Sequence, residues 1–176
     1  MIRKFIFILS LIIFFSCSSQ RKDAIEYNDK IINEQNKIIE KAITFTSSFE
    51  TRNYNTIDSL RLLLLSQIES SIEEVSKMQA FDGYDSLRLA ALDLFNFYKK
   101  VYENEFKEIT QIITKDSLEI TEDDIIRHNI LTRKIKNEEI IFDNNFQKTQ
   151  QSFAKKYNLN INRNEYQDRL NEMRKR

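Results

Sequence analysis

Apolar residues recur about every 3.5 residues along most of this chain, with polar and charged residues between them. Such a period is typical of helices that turn one face toward a core. The pattern predicts four long helices and a short basic one, over residues 23–49, 57–80, 86–114, 121–157 and 163–174. The face of the first helix repeats over more than three heptads in two adjacent columns: Ile25, Ile32, Ile39 and Thr46 beside Ala24, Ile31, Ile38 and Phe45.

The predicted helices are separated by short polar segments. Asp82-Gly83 is the clearest turn signal, because glycine accepts a positive φ without a steric cost. We expect Thr56, Asp85 or Ser86, and Thr121 to cap the helices that follow them. Short loops between long helices favour antiparallel neighbours. The chain is therefore predicted to be all-α, an up-down-up-down four-helix bundle followed by a short C-terminal helix; a long coiled-coil dimer is the alternative.

The N-terminus has a different pattern. Arg3 and Lys4 precede an apolar run over residues 5–15, and Ser16 and Cys17 follow it. This is the layout of a secretory signal peptide. As a helix the run would cover roughly 16 Å, whereas the bilayer core is about 30 Å thick. Residues 1–16 are therefore interpreted as a signal peptide rather than as a membrane span.

The end of that run, Phe14-Phe15-Ser16-Cys17, resembles the lipobox of bacterial lipoproteins. The resemblance implies that a diacylglycerol is joined to the Cys17 thiol and that cleavage occurs before it. Residues 17–22 would then be the acylated cysteine and a short tether, and 23–176 the helical domain. Ser18 after the cysteine implies the outer membrane of a bacterial envelope. A secreted protein cut near Ser16 and an uncleaved, inserted N-terminus remain alternatives.

Two further stretches are similar to a family of small bacterial surface lipoproteins. The first is Tyr27-Asn28-Asp29-x-Ile31-Ile32-x-x-Gln35-Asn36-x-Ile38-Ile39, and the second runs from Gly83 through Phe95-x-x-Tyr98. That family has no assigned activity, so the resemblance implies a fold and a location but no chemistry.

Composition argues against several function classes. The chain has 27 basic and 27 acidic residues; without Arg3 and Lys4, 25 basic and 27 acidic residues remain, a net charge of about −2. A nucleic-acid partner is therefore not expected. One glycine cannot build a phosphate-binding loop. A di-iron site needs Glu-x-x-His, but Ile125 stands three residues before His128, the one histidine. We expect no metal, no cofactor and no enzymatic activity.

Polar residues interrupt or border the apolar faces, and these are the candidate site. Buried amides and carboxylates cost about 1–3 kcal/mol unless they are hydrogen-bonded. They either line a small polar pocket or set the register of the helices. The set comprises Asn28, Gln35, Tyr98, Tyr102, His128, Glu138 and Asn145.

The function expected from these patterns is that of a lipid-anchored, non-enzymatic envelope protein. Acyl chains would hold it at a membrane, where it would contact another macromolecule such as a protein partner. A ligand-binding lipoprotein with a polar pocket between helices is the alternative, and an envelope hydrolase is a more distant one. The sequence leaves the oligomeric state open.

Overall fold

The computed structural model describes the backbone of residues 2–161 and 164–173, and the side chains of residues 19–161, 164–169 and 172. Within these residues the protein is all-helical, as the sequence predicted, and its helices pack against each other. A 3-10 turn, Ser48–Thr51, follows the first helix. The α-helices are α1 (Ile2–Ser47), α2 (Tyr54–Ser76), α3 (Ser86–Glu103), α4 (Glu105–Ile113), α5 (Glu122–Tyr157) and α6 (Glu165–Met173).

The core forms where α1 packs on α2, α2 on α3, and α3 on α5. Phe45 is fully buried, and its ring meets Phe49, Tyr102 and Phe106 edge-on at centroid distances of 4.9, 5.5 and 5.4 Å. Edge-to-face pairs add to the free energy gained by burying the rings. The inner face of α3 belongs to this core, with these members buried: Leu87, Ala91, Leu94, Phe95, Tyr98, Val101 and Tyr102.

Helix α5 lies antiparallel to α3 and α4, since its pairs with them run in opposite directions along the chain, and it touches α1 much less extensively. Lys100 pairs with Glu138 at 2.7 Å, and the rings of Phe97 and Phe142 stack at 4.8 Å. These pairs fix the register of α5 on α3. The side of the domain between α1 and α5 is therefore left partly open, and α6 packs against α1 there.

The third predicted helix, 86–114, is wrong as one element, because the structure breaks it at Asn104 into α3 and α4. Asn104 has φ −114° and ψ −73°, and its side chain donates to the Lys100 carbonyl at 2.8 Å. The buried Arg61 guanidinium also donates to the Tyr102 carbonyl at 2.9 Å. Side chains that hydrogen-bond to helix carbonyls compete with the backbone hydrogen bonds of the helix, and this favours a break there.

Two predictions about helix starts need correction. Asn53, not Thr56, is the N-cap of α2, and its side chain accepts from the Thr56 N–H at 3.0 Å. Asp85 stands at the N-cap of α3 but makes no capping bond, because its carboxylate pairs with Arg88. The Thr121 cap of α5 is confirmed as a full capping box with Asp124.

The N-terminal boundary of the first helix also differs from the prediction. Residues 17–22, expected to be a tether, are helical and continuous with α1. Ile25, a predicted member of the first helix's face, lies on the surface and is 39% exposed, and Ile125 near the start of α5 is 54% exposed. Ile25 neighbours the fully buried Ala24, so the core takes the other of the two columns at this end.

The Asp82-Gly83 turn is confirmed. Phe81 and Tyr84 exchange two backbone hydrogen bonds of 3.0 and 2.8 Å across it. Gly83 has φ +73°, and Asp82 also has a positive φ, +50°. Two successive residues with positive φ are typical of a type I′ turn. The turn lies at the end of the domain that also contains Gln20 of α1 and the C-terminus of α5.

Candidate functional site

The first candidate region is the end of the domain at the 81–84 turn, here called the turn end. The Asp82 carboxylate accepts hydrogen bonds from the Gln20 amide at 3.2 Å and from the Tyr157 hydroxyl at 3.1 Å. Lys156 lies 3.7 Å from the same oxygen, and its ammonium stands 3.2 Å from the centre of the Tyr84 ring. One carboxylate thereby joins α1, the turn and the end of α5.

An aromatic cluster lies beneath this turn. Phe81 contacts Tyr27 at 5.3 Å, Phe153 at 5.7 Å and Tyr157 at 5.0 Å between ring centroids. Tyr84 is 55% exposed, so it presents an aromatic ring and its cationic partner to the outside. Tyrosine has an apolar ring and a polar hydroxyl, so it is common where an apolar surface meets water.

Tyr27 contributes a hydroxyl to this cluster. Burial raises the pKa of Tyr27, and the Asp85 carboxylate adds to that rise while Arg88 opposes it. The hydroxyl oxygen is buried and has no hydrogen-bond partner among the described residues. A tyrosine with a raised pKa stays neutral at physiological pH, so the Tyr27 hydroxyl is protonated where its ring packs.

The second candidate region is a polar groove between α1, α5 and α6, with a volume of about 760 Å³. Ile32, the buried Phe146 and the exposed Ile161 supply its apolar contacts. The rest of its lining is dominated by amides, with four carboxylates beside them. These polar side chains are Asn28, Gln35, Asn36, Gln147, Gln150, Gln151, Asn160, Asn164, Gln167, Asp29, Asp143, Glu165 and Asp168.

Hydrogen bonds between amides hold the walls of the groove together. Gln150 of α5 donates to the Asn28 oxygen at 3.0 Å, which ties α5 to α1. Asn164 donates to the Asn36 oxygen at 2.9 Å, which ties the start of α6 to α1. The Asn164 oxygen accepts from the backbone N–H of Tyr166 at 3.1 Å and so caps α6. Each side-chain amide has two donors and two acceptor lone pairs, so further bonding capacity remains.

The structure brings together only two of the seven candidate residues named from the sequence. Asn28 and Gln35 line the groove, and Gln35 is 4% exposed. Tyr98 and Tyr102 are buried within the core and do not line it. The remaining three lie along α5 outside the groove: His128 and Glu138 are half-buried, and Asn145 is exposed. The functional role of the set stays a prediction.

Sequence reasoning missed the partners of Asn28 and Gln35 in the groove. Gln147 and Gln150 stand three residues apart on α5, so they occupy the same side of that helix. This spacing within an amide-rich stretch was the available signal. Asn164 comes from the segment before α6, and no periodic pattern indicates that it folds back onto Asn36.

Several charged or polar groups are buried at structural positions. Arg61 is 4% exposed and is held by Asp58 at 2.7 Å and by the Tyr102 carbonyl. Glu34 accepts from the Ser71 hydroxyl at 3.0 Å across the α1–α2 contact. Such pairs compensate the cost of removing charges from water and fix helix register.

The part of the chain that the structure describes contains neither a metal cluster nor a membrane span. No three histidine, cysteine, aspartate or glutamate side chains there come together in a way that could hold a metal ion. Among the same residues, none of the helices combines the length and apolar character needed to cross a membrane. The thiol of Cys17, the predicted lipid attachment site, lies outside the described side chains. No family model, curated protein or solved structure matches the chain.

Proposed function

We propose that this protein is a lipid-anchored, non-enzymatic protein of the bacterial envelope, held at the outer membrane through Cys17. Its helical domain acts as an up-down-up-down four-helix unit, in which α3 and α4 together form the third helix and α6 is an addition on α1. Its work is to contact another macromolecule near the membrane. Two or three acyl chains would make the attachment stable, whereas one is marginal.

The observation that carries the proposal is the contact of Gln20 with Asp82. Cys17 precedes Gln20 by three residues on α1, and Gln20 is bonded to the turn end of the domain. An acyl anchor at Cys17 would therefore hold the turn end beside the lipid headgroups. The exposed Tyr84 ring and the Lys156 ammonium suit a boundary between lipid and water.

The opposite end of the domain would then face away from the membrane. Helix α1 extends roughly 40 Å from Gln20 to Ser47, at about 1.5 Å per residue. At that far end, the connection between α4 and α5 presents Leu118, which is 95% exposed, and Ile120. Exposed apolar side chains at this distance are the proposed contact point for a partner protein.

The anchor is tested by metabolic labelling with radioactive palmitate in a bacterium that processes lipoproteins. The native protein should take up label and fractionate with membranes, and Cys17→Ala should do neither. Cys17→Ser is a matched variant, because it replaces only the sulfur atom by oxygen. Label that persists in either variant, or a native protein that stays unlabelled, would refute acylation at this thiol.

The orientation is tested separately with single new thiols, since an acylated Cys17 is blocked from labelling. A fluorophore on Tyr84→Cys should be quenched by lipids that carry a nitroxide headgroup. The same fluorophore on Leu118→Cys, at the far end, should not. Equal quenching at both positions would mean that the domain lies flat on the membrane, against the proposal.

A second candidate function is ligand binding in the groove between α1, α5 and α6. The specific observation in its favour is Gln35, a polar side chain that is almost fully buried and lines the groove.

A further inference from the structure

Helix α5 carries exposed isoleucines on the side that faces away from the core. Ile126, Ile130, Ile140 and Ile141 are each half exposed or more. Because an α-helix has about 3.6 residues per turn, these positions lie on the side opposite Leu131 and the other core-facing residues of α5. Large apolar side chains that recur along the solvent side of one helix indicate an interaction surface.

The spacing of this surface is that of a coiled-coil seam. Its positions alternate by four and three residues and are here called the outer stripe: Ile126, Ile130, Arg133, Asn137, Ile140 and Asn144. This alternation is the narrow pattern by which one helix packs along a second helix. All six residues are exposed, whereas α5 packs against α3 through its other side.

The residues that border the outer stripe are complementary in charge to themselves. In a parallel, in-register pair, border positions five residues apart face each other across the seam. This places Glu122 beside Arg127 of the second copy, and Asp143 beside Lys148 of the second copy. An antiparallel pair on the same stripe would instead bring Arg127 to Lys148 and Glu122 to Asp143, so like charges would meet.

These border charges select an orientation more than they add affinity. Arg127 already donates to Glu108 through two nitrogen atoms, and Asp143 accepts from Gln147 at 2.7 Å. A guanidinium has five N–H donors and a carboxylate has several acceptor sites, so contacts to a second copy would be added to those in place. Exposed ion pairs are weak, but complementary charge sets specificity and register.

The same orientation places like residues opposite each other in the seam. Ile126, Ile130 and Ile140 each meet their counterparts, and so does Asn137 between them. Facing amides can hydrogen-bond to each other, and an asparagine at such a position fixes the register and the number of strands. Arg133 is the unfavourable position, because two guanidinium groups would face each other unless their long side chains turn outward to water.

We infer that α5 binds a second copy of this chain through the outer stripe, as a parallel, in-register helix pair. The seam from Ile126 to Asn144 is roughly 27 Å long at about 1.5 Å per residue. The inference does not depend on acylation of Cys17. Parallel pairing puts the turn ends of both copies on the same side, which is compatible with two copies anchored in one membrane.

The first test is analytical ultracentrifugation of the full chain in a density-matched detergent, pentaethylene glycol monooctyl ether. The native protein should form a dimer with a Kd of about 100 µM or tighter. Ile130→Glu should weaken the dimer at least about tenfold, because it places two carboxylates in the seam. Arg133→Leu should tighten it at least about tenfold, because it removes the charged position and adds apolar contact.

Leu63→Glu is the matched control for Ile130→Glu. Leu63 is an exposed apolar residue of α2 and lies outside the stripe, so this variant should leave the Kd unchanged. Because Ile130 is also exposed, Ile130→Glu should keep the melting temperature of the native monomer. If it does not fold, Ile140→Glu provides the same test at another position of the seam.

The orientation is tested by disulfide formation in the full chain with Cys17→Ser. Packed helices lie about 8–10 Å apart and each Cα lies about 2.3 Å from its axis, so Cα atoms that face each other across the seam are about 4–6 Å apart. That separation is within reach of a disulfide. Asn137→Cys should therefore cross-link to its counterpart on mild oxidation, and Leu63→Cys should not.

The inference is overturned if the native protein remains a monomer at about 1 mM, or if Ile130→Glu and Leu63→Glu have the same effect on the dimer. It is also overturned if Asn137→Cys does not cross-link, since an antiparallel pair would place residue 137 opposite residue 133. A monomer whose fluorophore at Ile130→Cys is quenched by nitroxide lipids would place the stripe on the membrane instead.

Discussion

Replacement of Gly83 by alanine isolates the energetic cost of one backbone angle. Gly83 has φ +73°, and a Cβ added there would meet no atom within 4 Å. The substitution therefore creates no clash and removes no packing contact. What remains is the strain of a left-handed conformation, roughly 1–2 kcal/mol for an L-residue with a side chain. The lower entropy of the unfolded chain offsets about 0.4–1 kcal/mol of this strain.

We therefore expect Gly83→Ala to lower the free energy of unfolding by about 1 kcal/mol. In a chain of this size the melting temperature should fall by roughly 2–4 °C. The measurement is urea denaturation followed by far-ultraviolet circular dichroism, with the slope against urea unchanged. The near-ultraviolet spectrum should also be unchanged, because the aromatic cluster at Phe81 and Tyr157 is not touched.

Gly83→Asn is the control for this reasoning. Asparagine adopts the left-handed region at a lower cost than alanine, so it should lose roughly half as much stability. The reasoning is refuted if Gly83→Ala is as stable as the native protein. It is also refuted if asparagine is no better tolerated than alanine, since the loss would then not arise from φ.

Three other predictions concern the core, a buried charge and a helix start. Phe45→Ala should cost about 3–5 kcal/mol in urea denaturation, because it empties a fully buried site with three ring contacts. Arg61→Ala should cost about 3 kcal/mol, since it removes the buried cation that pairs with Asp58 and donates to the Tyr102 carbonyl, and Arg61→Lys should recover part of this loss. The Lys115 ammonium and the Thr121 cap lower the pKa of Asp124 from 3.8 to about 2. Because the folded pKa is the lower one, its stabilisation should be complete above about pH 5 and lost as pH falls toward 2. Asp124→Asn should remove that part of the pH dependence, and an unchanged acid profile would contradict the assignment.

The candidate site was only partly open to prediction from the sequence. Asn28 and Gln35 stand one heptad apart on α1, and their spacing was enough to select them. Glu138 and Asn145 satisfied the same kind of criterion on α5 but lie outside the groove, Glu138 paired with Lys100 and Asn145 exposed. A heptad spacing indicates that two residues share one face of a helix. It does not indicate whether that face packs against another helix.

The sequence by itself determined the helical class, the Asp82-Gly83 turn and the Thr121 cap, because each depends on residues close together in the chain. The causes are local: the helix propensity of the residues, the glycine at positive φ, and the Thr121 hydroxyl followed by three acidic residues. Only the tertiary structure decided the break at Asn104, the limited contact between α1 and α5, and the placement of Asn164 against Asn36. These features arise from groups far apart in sequence, such as Arg61 with the Tyr102 carbonyl, whose energies appear only once the helices are packed.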